Sequence, residues 1–195
     1  MDIKDRIIQK SCPVLMAPRY SELPEIDRGY RYLMTADGLW LEARVPWGHF
    51  RLPLWKSPRP LPYGEAETVF RLESGSMPMS LLERCIDVAR NKAESGFEWA
   101  GWVVWDAVDG YRLIEPEVIE ESFASVCYRY PDLDGAHLVM DLHSHPFDMP
   151  SFSRIDDRDD MGGIRFAGVI SFNADMKPRL MVRLCIEGNF FELRG

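Results

Sequence analysis

Cysteine is scarce and scattered. Cys12, Cys85, Cys127 and Cys185 form no Cys-x-x-Cys pair, so neither a thiolate zinc site nor a disulfide framework is indicated, and reduced core thiols are the expectation. Long apolar runs are missing too: nothing approaches the roughly 18 apolar residues of a membrane helix, and Met1 to Lys10 is charged where a secretory signal would be apolar. A cytoplasmic protein is expected. Positive charge is in short supply, with 23 Lys and Arg against 31 Asp and Glu and a formal net charge of −8. Binding nucleic acid through its phosphates takes a concentrated basic face that this chain lacks, and a protein or peptide partner fits better. Repeats and low-complexity tracts are absent, and histidine occurs only four times.

What is present is globular. At 195 residues, 46% hydrophobic and 28% charged, the chain can bury one sizeable core with or without a small appendage. From Val14 to Leu54 short strands are expected. Tyr30, Tyr32 and Met34 alternate before Asp37-Gly38, and Leu39, Leu41, Ala43 and Val45 alternate after it, a hairpin signal. Pro53, Pro58, Pro60 and Pro62 then interrupt regular structure and mark an extended connection, packed down by Trp55, Leu61 and Tyr63. The organisation expected is a β-rich N-terminal region with a Pro-rich connection over 1–75, then a domain over 76–195.

In that second region the spacing of Leu81, Leu82, Cys85, Ile86, Val88 and Ala89 predicts a helix over Pro78 to Lys92, with Ser80 as cap. Strands follow at Glu98 to Asp106 and Tyr111 to Ile114, turned by Asp109-Gly110. A helix after Pro116, a strand near Ser125 to Tyr130 and a strand ending in histidines at Leu138 to Leu142 come next. A helix from Ser153 to Met161 precedes strands at Ile164 to Phe172, Arg179 to Ile186 and Asn189 to Leu193, the last turned by Glu187-Gly188. The order suits an α/β fold, a mixed β-sheet with flanking helices.

The chemistry concentrates in His143-Ser144-His145-Pro146, followed by Ser153 and Asp156. Alternate strand residues point the same way, so His143 and His145 can present both imidazoles to one ion with their Cα atoms about 7 Å apart. Asp156 can supply a third ligand, and three protein ligands leave an open position whose water zinc brings to ionise near pH 7. A hydrolase also needs a base that is not a ligand, and Glu98, which opens the apolar run Trp99 to Trp105, is the candidate. Ser153-x-x-Asp156 also approximates a capping box, with Asp157, Asp159 and Asp160 as helix-terminal carboxylates, and both readings can hold at once. Asp141 shares the His143 face, either to orient an imidazole or as a solvated strand carboxylate. His137 lies about 20 Å along the strand, too far to reach the same ion, and reads as a surface residue. His49 has no evident partner. Phe147, Met149 and Phe152 either pack under their loop or line a substrate groove.

With Glu98, His143-x-His145-Pro146 and Ser153-x-x-Asp156 in hand, the chain resembles the JAB/MPN metalloprotease domain with its JAMM signature, over about residues 78 to 195. The resemblance implies a mixed curved β-sheet with flanking helices, JAB/MPN-like and cytidine-deaminase-like. It also implies one Zn2+ per chain held by His143, His145 and Asp156, Glu98 as general base, Ser153 as oxyanion donor, and hydrolysis of a peptide or isopeptide bond. A narrower resemblance, to the bacterial PRTRC system protein A group, rests on Trp102-Val103-Val104-Trp105-Asp106-Ala107, Asp141-Leu142-His143-Ser144-His145 and Phe152-Ser153 ahead of Asp156-Asp157. That likeness implies a ubiquitin-like partner. The chain departs from deubiquitinases in having no long insertions, and Pro150, Ser151 and Phe152 make the loop apolar. The competing reading is a non-catalytic MPN-type scaffold or ubiquitin-like-binding module, disfavoured because the whole set, Glu98 included, is retained. Zinc-dependent deamination lacks its Pro-Cys-x-x-Cys half.

Overall fold

The computed structural model describes residues 1–121, 126–129, 132–145, 149 and 151–193. The chain divides into two compact units, Met1–Gly75 and Ser76–Gly195.

The first unit opens with helix α1 (Ile3–Ser11), which the sequence reading did not anticipate. Asp2 caps it by accepting from the Lys4 amide at 2.7 Å, and no residue of the helix is buried. Strands β1 (Val14–Met16), β2 (Gly29–Thr35), β3 (Gly38–Val45), β4 (Gly48–Lys56) and β5 (Val69–Leu72) form one sheet in chain order. β1 runs parallel to β2 and the other pairs are antiparallel. The expected hairpin is β2–β3: Thr35 pairs with Gly38, and Tyr30, Tyr32 and Met34 lie opposite Ala43, Leu41 and Leu39. Pro53 does not interrupt regular structure as expected. It sits inside β4 where the register slips, Trp40 facing Pro53 and Leu39 facing Trp55, a bulge that tolerates the missing amide proton.

A second correction concerns His49. Arg31, Glu42 and Arg51 stand directly opposite one another on β2, β3 and β4. Glu42 is fully buried, and its carboxylate accepts from Arg31 Nε at 2.7 Å, from Arg51 Nε at 2.9 Å and from His49 Nε2 at 2.9 Å. Arg31 also donates to the Pro24 carbonyl, so this carboxylate is the hub that ties the segment before β2 to the sheet.

The second unit carries helix α2 (Met79–Glu94), strands β6 (Ala100–Asp106), β7 (Gly110–Ile114), β8 (Glu117–Glu121), β9 (Val126–Arg129) and β10 (His137–His145), helix α3 (Arg154–Asp159), and strands β11 (Ile164–Phe172), β12 (Pro178–Ile186) and β13 (Asn189–Leu193). Six strands make a mixed sheet in the order β13-β12-β11-β10-β6-β7, and β8–β9 forms a separate ribbon. β10 is central, parallel to β11 and antiparallel to β6. Helix α2 packs on β10 and β11 through Cys85 and Ala89, and the sheet buries Val103, Leu142, Val169, Ile170, Leu184 and Ile186 completely. The fold is the mixed α/β arrangement expected.

Local chemistry explains the departures. The helix expected after Pro116 is strand β8: Val118 and Glu121 pair with Tyr128 and Val126, and β-branched Val118 and Ile119 favour a strand over a helix. The strand expected near Ser125 to Tyr130 is β9, although Ser125 and Tyr130 themselves lie outside the described residues. Ser80 is helical rather than a cap, because Pro78 takes the N-cap position without a side-chain bond. Glu187 and Gly188 both adopt positive φ, 46° and 78°, the turn that joins β12 to β13. Cys85 and Cys185 are buried thiols whose pKa values burial pushes up to about 11 and about 12, so both stay protonated and inert. No helix among the described residues is long and apolar enough to cross a membrane.

Candidate metal centre

His143 and His145 end β10 on the same face of the sheet, their rings 5.1 Å apart. His143 is held on both sides, paired with Val169 of β11 and Ala100 of β6. Asp156 arrives from α3. Ser153 is the N-cap, its Oγ accepting from the Ile155 and Asp156 amides at 3.2 Å each, while the Ser153 amide donates to Asp156 Oδ2 at 2.5 Å. This capping box fixes one carboxylate oxygen and leaves Oδ1 facing His143 Nε2 at 3.3 Å, with His145 Nε2 3.9 Å from Oδ2. Cap and candidate ligand are therefore one local device.

The three donors suit a metal. One ligand atom from each of His143, His145 and Asp156 lies within 4.8 Å of the others, and a tetrahedral zinc with bonds near 2.0–2.1 Å separates its ligand atoms by about 3.3 Å. Nε2 of His143 is buried with no hydrogen bond among the described residues, a cost that a metal bond removes. His145 Nδ1 lies 3.0 Å from the Met149 carbonyl. A carbonyl only accepts, so Nδ1 carries the proton and Nε2 is the bare nitrogen facing the cluster.

Electrostatics couples these groups. Burial alone would lower the His143 pKa, but Asp156, Asp141 and Glu98 raise it above its ordinary value. Burial opposes ionisation of Asp156, yet His143 and the Ser153 bonds hold it well below the usual carboxylate range. Glu98 goes the other way: burial raises its pKa and the Asp156 charge adds to that, partly offset by His143. A half-buried carboxylate beside the cluster with an elevated proton affinity is suited to moving a proton.

Glu98 does not open a strand, contrary to expectation; it lies in the connection two residues before β6. The next residue, Trp99, is tied to Ser144, the residue between the two histidines. Ser144 Oγ accepts from the Trp99 amide at 2.9 Å, and the Ser144 amide donates to the Trp99 carbonyl at 2.8 Å. Trp99 folds over Gly101, where a Cβ would come within 2.3 Å of the indole, and its Nε1 donates to Glu115.

Other expectations sort out by contact. Phe152 packs, its ring 3.8 Å from the Arg183 guanidinium carbon; Met149 is exposed, and Phe147 lies outside the described residues. Asp141 is part-buried, and its charge raises the pKa of His143. It faces Arg165, whose Nε is 3.9 Å from its Oδ2, and burial pushes its pKa up to about 6. His137 stacks on Trp105 at the far end of β10. Sequence reasoning missed Ser144, Arg165 and Arg183, whose partners are 45, 5 and 23 residues away. The only sequence signal was the small polar residue between the histidines.

Residues 2–73 match a domain of unknown function, DUF2016. No curated protein matches. A Desulfitobacterium hafniense protein of known solution structure is similar at 19% identity, over 58% of this chain and 86% of that one, with a TM-score of 0.41. Residues 83–184, more than half of the chain, match the family of prokaryotic homologs of the JAB domain, and the chain belongs to that family.

Proposed function

We propose that the second unit is a zinc-dependent metallopeptidase or isopeptidase of the JAMM type. The observation that carries this reading is the convergence of His143, His145 and Asp156 within 4.8 Å, with the buried His143 Nε2 facing Asp156 Oδ1 at 3.3 Å. A zinc ion bound there supplies Lewis acidity and brings a water toward ionisation at neutral pH. Glu98 takes the proton of the attacking water and passes it to the leaving amine, the task for which its raised pKa suits it. Ser153 spends its oxygen lone pairs on the Ile155 and Asp156 amides, so its hydroxyl proton is free to donate to the oxyanion of the tetrahedral intermediate. His145 is held in the productive tautomer by the Met149 carbonyl.

The substrate is a protein or peptide. The narrower resemblance to the PRTRC system protein A group extends the proposal to a ubiquitin-like protein, cut at its C-terminus. The test is elemental analysis of purified protein beside His143→Ala. About one zinc per chain, lost in the variant, supports the reading and justifies assays on ubiquitin-like fusions. No zinc after reconstitution refutes it and favours a JAB-like module acting by binding alone.

A further inference from the structure

Helix α3 brings Asp156 to the cluster, yet it has almost no means of its own to stay there. It is six residues long with none buried, and its one large apolar side chain, Ile155, is exposed. An isolated helix that short is unstable in water, and apolar packing does not dock this one. What does hold it is charge. Asp141 on β10, Ala167 on β11 and Arg183 on β12 form one row across the sheet, so Arg183, Arg165 two residues before Ala167, and the two histidines share the face on which α3 lies.

Arg183 meets the α3 segment at three points. Its Nη1 donates to Asp157 Oδ1 at 2.6 Å in the first turn, and its Nη2 and Nε donate to Asp160 Oδ2 at 2.7 and 3.2 Å at the C-cap. Its guanidinium carbon lies 3.8 Å from the ring of Phe152, the residue before the N-cap, and 4.1 Å from Phe190 on β13. Arg165 completes the brace, donating to Asp160 Oδ1 at 2.9 Å and to the carbonyls of Asp159 and Gly162. Arg183 and Asp160 are nearly fully buried, with side chains 5% and 8% exposed, where a bridging guanidinium bound to two carboxylates is strong and specific in direction.

We propose that Arg183, seconded by Asp160 and Arg165, is a positioning residue that docks α3 on the sheet and so presets Asp156 toward His143 and His145. The proposal rests on the metal reading above for its effect on zinc, but the docking itself does not. Ligands that must be collected from a mobile helix bind metal more weakly than preset ones, because ordering them is then charged to binding. Loss of such a supporting contact typically costs 10–100-fold in metal affinity.

The experiment compares wild type with Arg183→Met, Arg183→Lys and the half-exposed partner Asp157→Asn, in two measurements. In metal-free protein, hydrogen exchange is followed at the Asp157 and Asp160 amides, which bond the Ser153 and Asp156 carbonyls, and at β10 and β11. Zinc affinity is then measured by competition with a chelator. Arg183→Met is expected to speed exchange in α3 about tenfold or more while leaving β10 and β11 unchanged, and to weaken zinc about 10–100-fold. Arg183→Lys, which keeps the charge but lacks the planar fork that spans both carboxylates, should fall between it and wild type, and Asp157→Asn should shift both readouts in the same direction by less. Saturating zinc should restore protection to α3 in the variants.

Unchanged α3 exchange in Arg183→Met overturns the brace. Equal acceleration across β10 and β11 overturns it as well, since Arg183 would then support the whole sheet; if Arg183→Met does not fold, Asp157→Asn decides by the same criteria. Faster α3 exchange with unchanged zinc affinity overturns the link to the metal. A wild type that binds no zinc refutes the proposed function and the affinity half of this inference, and leaves the exchange result to decide the brace.

Discussion

Glu42 and Glu98 are two glutamates withdrawn from water, one in each unit, and their proton affinities are shifted in opposite directions. Burial works against ionisation of both. Around Glu42 that cost is overcome by hydrogen bonds from His49, Arg51 and Arg31, which hold its carboxyl below the ordinary value. Among the described residues Glu98 has no such partner; the Asp156 charge adds to burial and only His143 works the other way, so its pKa is raised. A carboxylate saturated with donors is a structural tie with nothing left to exchange, whereas one left short of donors beside a ligand cluster can still take a proton. The same contrast separates the polar groups within the second unit. Asp160 is shared by two arginines, while His143 Nε2 is buried without a hydrogen bond among the described residues.

The contrast breaks first at Glu98. Glu98→Gln is expected to keep its zinc and lose about 10²–10⁴ in turnover, the usual worth of a general base, measured by single-turnover cleavage beside zinc content. A variant as active as wild type would remove Glu98 from the mechanism. The same substitution should slightly raise the melting temperature of the metal-free protein at neutral pH. A carboxyl with a raised folded-state pKa costs stability once pH exceeds it, and Gln removes that cost.

Glu42→Gln should do the reverse, leaving zinc binding intact while destabilising the first unit by about 3–5 kcal/mol, because the buried Arg31 and part-buried Arg51 guanidiniums lose their counter-charge. Urea unfolding with a probe in that unit measures it, and a change below 1 kcal/mol would show that the hub is redundant. Ser153→Ala tests a residue with both kinds of role. Turnover should fall about 10²–10³ and stability by about 1 kcal/mol from the lost cap; loss of stability alone would reduce Ser153 to a cap.

The smallest effects are in pH. Since the Glu42 pKa is depressed, its contribution is fully present above the ordinary value of 4.5 and is lost as pH falls through the lower folded-state value. Acid titration of wild type should therefore show an unfolding component that Glu42→Gln lacks. The acid limb of turnover should instead lie above 4.5, where a raised Glu98 loses its proton.

Much of the second unit was legible because its signals are local. The strands Ile164–Phe172 and Asn189–Leu193 are short, largely apolar runs set off by turn residues. The His143 and His145 pair follows from strand parity, and the Ser153–Asp156 capping box from a spacing of three. Local signals also misled. Pro116 followed by Glu117 reads as a helix start, but pairing with β9 made a strand of it. Pro53 reads as a breaker, but a bulge absorbed it. Helix α1 escaped because its charged residues obscure a short apolar spacing.

The sequence by itself determined which side chains could bind a metal and the short-range geometry of each half of the site, since a strand's two-residue period and a helix cap are properties of a few neighbouring residues. Only the tertiary structure decided that the halves meet. The Ser144 bond to Trp99, the neighbour of Glu98, spans 45 residues and the Arg183 bonds to the α3 segment span 23 and 26. Such contacts depend on which strands become neighbours in the sheet, and that is set by burial of the whole core rather than by any local pattern.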